Sequence, residues 1–157
     1  MLRSLAYGAV IAGAALLSAP AGGMESPIDQ DAIAYRKSIM KTLEAQFNAL
    51  AGIIAFGGPS HNLKSHLETI QVTARMVLPS FEKRAPGGTS KPHLWDDWEG
   101  YTRHMQEFEA AVAMAIEAAK HNSVNQVIWY TDQISCRKCH DAYKQKGVTG
   151  GEEYLGY

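Results

Sequence analysis

The chain is poor in cysteine, with two thiols in 157 residues. That excludes a disulfide-built scaffold, whose small secreted domains are cysteine-dense. It also lacks an excess of either charge: 15 basic and 16 acidic side chains leave a formal net charge of -1. There is no basic footprint for a nucleic-acid partner and no strong acidic field. No apolar run reaches the ~20 residues of a membrane span. Strand-like alternation and internal repeats are missing as well. What remains is ordinary globular material, 46% hydrophobic and 20% charged, which argues against wholesale disorder. The length suits one domain that removes roughly two-thirds of its unfolded surface from water.

Residues 1–21 are read apart from the rest. Arg3 supplies one positive charge, residues 5–17 are apolar, and Ala19-Pro20-Ala21 offers a cleavage site. This is the three-part pattern of a secretory signal peptide. The alternative, a membrane anchor, needs a longer run, and this one is interrupted by Tyr7, Gly8 and Gly13. The expectation is removal of residues 1–21, a mature domain over 22–157, export to the periplasm and no stable membrane anchor. Outside the cytoplasm the two thiols could form a disulfide. A bridge across so short a loop would restrict the unfolded chain little.

The mature part reads as four helices. In the first, Ser26 can cap, Pro27 fits the first turn and Asp29 completes a capping-box-like pattern. Its apolar stripe runs through Ile33, Met40, Leu43, Phe47, Leu50 and Ile54, and Gly57-Gly58-Pro59 ends it. The second carries Leu63, Leu67, Ile70, Ala74 and Val77, with Pro79 marking its end. Residues 82–92, rich in Pro and Gly, form the one long loop. The third begins near Pro92 and carries Trp95, Trp98, Met105, Phe108, Val112, Ala115 and Ile116. Asn122 and Ser123 break it, and Ser123 can cap the fourth. The fourth runs through Val127, Thr131, Ile134 and Ala142 to a stop at Gly147. Four helices with mostly short connections predict an all-α, antiparallel four-helix bundle.

Both cysteines fall in the fourth helix, in the stretch Ser135-Cys136-Arg137-Lys138-Cys139-His140-Asp141-Ala142-Tyr143. C-x-x-C-H is the attachment signature for c-type haem. The two thiols add to the two vinyl groups of a porphyrin, so they must stand about one helical turn apart. Cys136 and Cys139 are i and i+3, on one helix face. His140 stands beside the same porphyrin edge and can turn to ligate the iron. Three other readings compete. Structural zinc wants about four protein ligands, and this motif offers three. A thioredoxin-like redox pair needs a βαβ context, absent here. A plain disulfide leaves His140 unexplained.

On the first helix, Arg36 and Met40 are i and i+4 and share a face. A thioether could be a sixth iron ligand and a guanidinium could pair with a haem propionate. Equally, Met40 continues the apolar stripe and can simply pack.

These residues resemble the class II c-type cytochromes, the cytochrome c′ family. The segment around Cys136, Cys139, His140 and Lys144 resembles that family's C-x-x-C-H followed by an aromatic and a basic residue. Tyr35-Arg36-Lys37-Ser38-Ile39-Met40 resembles its Arg-x-x-x-(Leu/Met/Phe) segment, and Pro92 to Trp95 its Pro-x-x-Trp opening of the third helix. The resemblance spans roughly residues 28–146. It implies a four-helix bundle with one covalent haem c near the C-terminus, Arg36 approaching a propionate and Met40 facing the distal side of the iron. Lys37 and Lys144 stand where many relatives carry Gln and Arg. Both keep positive charge near the haem edge, Lys37 as a second propionate partner, but Lys144 has no bidentate fork.

The first expectation for function is a non-enzymatic periplasmic electron carrier with His140 alone, or His140 and Met40, on the iron, serving redox partner proteins. The alternative is five-coordinate high-spin iron with a crowded apolar distal side, binding NO or CO. A third reading, from another class, is a haem-free helical interaction module with a disulfide. Homodimerisation through the first two helices would fit relatives. His61, His66, His93, His104 and His121 read as surface or loop residues, Tyr143 as packing beside the porphyrin. Trp95 and Trp98 read as anchors and Arg137 and Lys138 as a solvated pair.

Overall fold

The computed structural model describes residues 27–146 apart from Asn122 and Ser135. The expectations for residues 1–21, Ser26, Asn122 and Gly147 lie outside the described residues. Within them the chain forms six α-helices and one short 3-10 turn: α1 Pro27–Phe56, the turn Ser60–Asn62, α2 Leu63–Glu82, α3 His93–Asp96, α4 Trp98–Lys120, α5 Val124–Asp132 and α6 Cys136–Tyr143. No strand occurs among the described residues, only isolated bridges joining Gly87 to Ser90 and Ser90 to Lys144. Four legs result: α1, α2, α3 with α4, and α5 with α6. The bundle fold expected from the sequence is the fold observed.

The apolar stripes explain the packing. Ile33, Leu43, Leu50 and Ile53 on α1, Leu67, Ile70 and Val77 on α2, and Val112, Ala115 and Ile116 on α4 are all buried. Close backbone packing runs from α1 to α2, α2 to α4 and α4 to α5, while α6 touches α3 and α4. Gly57 ends α1 with φ +68°, a conformation that side-chain-bearing residues avoid.

Three helix boundaries differ from the sequence reading. Pro79 does not end α2, which continues to Glu82. The proline removes one N–H, but Phe81, two residues on, is buried against Tyr101 and Trp95 and anchors the extra turn. The third leg is broken at Asp97, whose backbone (φ -113°, ψ 52°) leaves the helix while its carboxylate caps α4 through the Gly100 N–H. The fourth leg is broken after Asp132. There the Thr131 hydroxyl donates back to the carbonyls of Val127 and Ile128, and tight turns at Gln133 and Ile134 replace α-helical bonds. Ser123 precedes α5 without a side-chain capping bond; its carbonyl accepts from the Val127 N–H.

The long loop is tied to the C-terminal end of α6. The Lys91 N–H donates to the Tyr143 carbonyl at 2.8 Å and the Gln145 N–H to that of Thr89 at 2.8 Å. Gly88, at φ +59°, packs so closely on Ile33 that a Cβ there would lie 2.8 Å from its Cγ2.

Candidate functional site

Helix α6 sorts its residues by face. Cys136, Cys139 and His140 are half-buried and Tyr143 is buried, whereas Arg137, Lys138 and Asp141 are exposed. The i, i+3, i+4 spacing therefore presents both sulfurs and the imidazole inward, and Arg137 and Lys138 form the solvated pair expected of them. Both sulfurs are unbonded. Burial pushes the Cys136 thiol up, and burial followed by the neighbouring Cys136 charge raises Cys139 to about 11. The setting favours the neutral thiol at both positions. His140 is held below the ordinary histidine value, first by burial and then by Lys144. A neutral imidazole is the form that binds a metal.

Among the described residues no group of three or more His, Cys, Asp or Glu side chains could hold a metal ion unaided. That weakens the zinc reading. A porphyrin brings four nitrogens of its own, so one imidazole suffices for it.

Helices α1 and α6 are not a closely packed pair. Helix α1 places Arg36, a buried cation at 4% exposure. Its Nη2 donates to the Ala85 carbonyl at 2.6 Å and its Nε to the Ala32 carbonyl at 3.2 Å. The guanidinium lies over the rings of Phe81 and Trp95, 4.8 and 5.4 Å from their centroids. Nη1 is buried with no hydrogen-bond partner. A buried charged donor left unmatched is costly, so this atom calls for an anionic oxygen. A haem propionate is one, and the thiols, imidazole and orphaned guanidinium nitrogen together fit that cofactor.

Met40, one turn along the same face, is half-buried and packs against the hydrophobic core. Lys37 is not brought inward. It is exposed, and its Cε would lie 3.5 Å from a Cβ at Gly88. Lys144 is half-buried, its ammonium held below the usual lysine value by burial. Trp95 donates its ring N–H to the Phe81 carbonyl at 2.8 Å, an anchor as expected. His66 pairs with Gln46 and His121 with Glu117, both away from the motif.

Sequence reasoning missed three participants. The Ala85 carbonyl that holds Arg36 has no side-chain signal at all. Tyr101, buried and within electrostatic reach of Arg36 and Cys139, has its phenol pushed up by burial and then by Cys139. Asp97 accepts the Tyr143 hydroxyl at 2.7 Å. Its signal was available, because Asp97-x-x-Gly100 is a helix-capping spacing.

The family model described as Cytochrome C' matches residues 31–144. A cytochrome c' of Alcaligenes xylosoxydans xylosoxydans is 22% identical over 121 residues, covering 74% of this chain and 95% of the relative. Among solved structures, the nitric oxide complex of a point variant of cytochrome c prime from Alcaligenes xylosoxidans superimposes with a TM-score of 0.71 at 22% identity. It covers 75% of this chain and 97% of that one. A ferrous variant of the same protein with bound NO gives a TM-score of 0.71 at 23% identity, with 75% and 96% covered.

Proposed function

The chain belongs to the cytochrome c′ family, and we propose that it presents five-coordinate haem iron to small neutral diatomics such as NO or CO. Membership brings one covalently attached haem c. In this reading Cys136 and Cys139 would hold the haem as thioethers, His140 would ligate its iron from α6, and Arg36 Nη1 would donate to a propionate oxygen. When bound, the haem would supply an iron atom that binds a diatomic and exchanges single electrons.

The observation that carries this reading over electron transfer is a solved relative found with bound NO in two structures. Sequence reasoning ranked electron transfer first, and the bound NO of that relative favours the alternative. Met40 packs against the core, and in this reading an apolar wall there disfavours anions and water more than neutral diatomics. Electron transfer with His140 and Met40 on the iron stays the second reading, because Met40 shares its helix face with Arg36.

The same reading makes the protein a binder rather than an enzyme, exported to the periplasm, with gases and redox proteins as partners. A pairing of two copies through α1 and α2 belongs to it too. Among the described residues no helix is long and apolar enough to cross a membrane.

Visible spectra of the haem-loaded protein, oxidised, reduced and reduced with CO, test it. A broad high-spin spectrum that shifts with CO is expected. Sharp low-spin bands indifferent to CO would restore electron transfer, and absence of haem bands would refute both.

A further inference from the structure

Helix α6 has eight residues. Helices that short do not stand alone in water, so something outside α6 must hold it. Its own sequence offers little help, since the fourth leg is broken just before it and no glycine closes the described end. The ties come from residues 89–97, the long loop and the approach to α4.

Lys91 makes three of them. Its backbone N–H donates to the Tyr143 carbonyl at 2.8 Å, and its Nζ to the carbonyls of Asp141 and Ala142 at 2.8 and 3.0 Å. These are end carbonyls that α6 cannot satisfy internally, and a cation is favourable there. Thr89 adds its carbonyl to the Gln145 N–H. Asp97 makes the last tie. One carboxylate oxygen accepts from the Gly100 N–H at 3.2 Å, capping α4, and the other from the Tyr143 hydroxyl at 2.7 Å. Gly100 is part of the device, because a Cβ there would collide with the Asp97 carboxylate, 2.7 Å from its Cγ.

Tyr143 stands three residues beyond His140 and four beyond Cys139, so it lies on the face that carries the ligands. Its ring meets Tyr101 edge-on at 5.4 Å, with His93 stacked at 5.9 Å and His104 edge-on at 6.0 Å. The ring fixes the depth of α6 and the hydroxyl fixes its rotation. A slip of one residue would turn the imidazole by ~100°.

We propose that Lys91 and Asp97 are positioning residues for the haem helix, fixing the rotation of α6 and with it the direction in which His140 presents its imidazole. This rests on His140 being the axial ligand. Neither residue touches the reacting atoms; they act through the carbonyls of α6 and through Tyr143.

The test uses haem-loaded protein with Lys91→Met, Tyr143→Phe and Arg84→Met. Tyr143→Phe removes the hydroxyl and keeps the ring and the α4 cap. Arg84→Met is the control, because it breaks the exposed Arg84–Asp96 pair in the same stretch without touching α6. Two quantities are read: amide hydrogen exchange of residues 136–143, and the iron–imidazole stretching band of the reduced protein. Tyr143→Phe, which loses one charge-assisted hydrogen bond, is expected to speed exchange about tenfold, and Lys91→Met, which loses two, by at least as much. Both should also shift or broaden the stretching band, with Lys91→Arg restoring it and Arg84→Met leaving it alone. Faster exchange with an unmoved band would mean that the ties are merely structural and would overturn the proposal. So would unchanged exchange. A six-coordinate wild type would sink the gas-binding reading; the haem reduction potential then replaces the stretching band, and it must shift in Lys91→Met and Tyr143→Phe but not in Arg84→Met for this proposal to stand.

Discussion

Replacing Arg36 by methionine separates two accounts of this buried cation. Methionine keeps most of the aliphatic stem and removes the charge. Losing the bond from Nη2 to the Ala85 carbonyl costs ~1.5–3 kcal/mol for a charged donor. Losing the desolvated stacking over Phe81 and Trp95 costs ~1–2 kcal/mol more. Losing the Nε bond to the Ala32 carbonyl adds ~1 kcal/mol. Against these, the change relieves Nη1 of its unmatched burial, worth ~1–3 kcal/mol.

With no anion at Nη1 the contributions partly cancel, and the net loss is ~2–3 kcal/mol. With a propionate oxygen there, the relief vanishes and a carboxylate is stranded. The loss then rises to ~5 kcal/mol, the top of the range for removing one partner of a buried pair. The two accounts therefore differ by ~2 kcal/mol. Urea unfolding of the haem-loaded protein at pH 7, followed by far-ultraviolet circular dichroism, resolves that difference if the m-value is unchanged. A loss of ~3 kcal/mol or less would refute the propionate assignment. Arg36→Lys should fall between, because an ammonium restores the charge but not the two-pronged donor.

Met40→Leu is expected to leave a high-spin spectrum unchanged and to cost less than ~1.5 kcal/mol in urea, as a near-isosteric core change does; conversion from low-spin to high-spin would show instead that the thioether is a ligand. Gly100→Ala, which in most helix interiors gains ~1 kcal/mol, should here give no gain in thermal stability, because displacing the Asp97 carboxylate forfeits a cap of similar worth. A clear gain would show that Asp97 does not hold the position described. The Tyr143 hydroxyl, first among the causes, holds Asp97 below the usual carboxylate range. The folded state thus binds this proton less readily than the unfolded one, so the contribution is complete above the unfolded value of about 4 and is lost as pH falls through the folded value. Asp97→Asn should lower the thermal midpoint at pH 7, with the gap to wild type closing below pH 4; a gap constant with pH would refute the ionised tie.

Much of this arrangement was legible in the sequence, and the reason differs by element. The α1 stripe and its stop were readable because Leu50 and Leu43 recur at helical spacing and Gly57 takes a left-handed turn. The ligand face of α6 was readable because three chemically distinctive residues stand within one turn. Pro79 misled, since a local rule about a missing N–H was overridden by the burial of Phe81. The breaks at Asp97 and after Asp132 escaped notice for the opposite reason. Helical periodicity continues through both; what marks them is the Asp97 backbone with its carboxylate accepting from the Gly100 N–H, and the Thr131 hydroxyl donating back to the Val127 carbonyl. The ties from residues 89–97 to α6 were invisible because carbonyls made most of them, and every residue has a carbonyl.

Arg36 unites what could be read with what could not. Its number in the stripe, between Ile33 and Met40, put a charge on the inner face of α1, and the sequence alone left its partner open. The fold answers with carbonyls from residues 32 and 85 and two aromatic faces, which satisfy all but one nitrogen. A chain selected for stability alone would gain by placing an apolar residue there, since a buried ion seldom repays its desolvation. Retaining a guanidinium that the protein only partly satisfies makes sense if its last hydrogen bond belongs to something the chain does not encode. The two thiols and the imidazole on the inner face of α6 describe that missing body: flat, covalently held from one side, and carrying carboxylates on its edge.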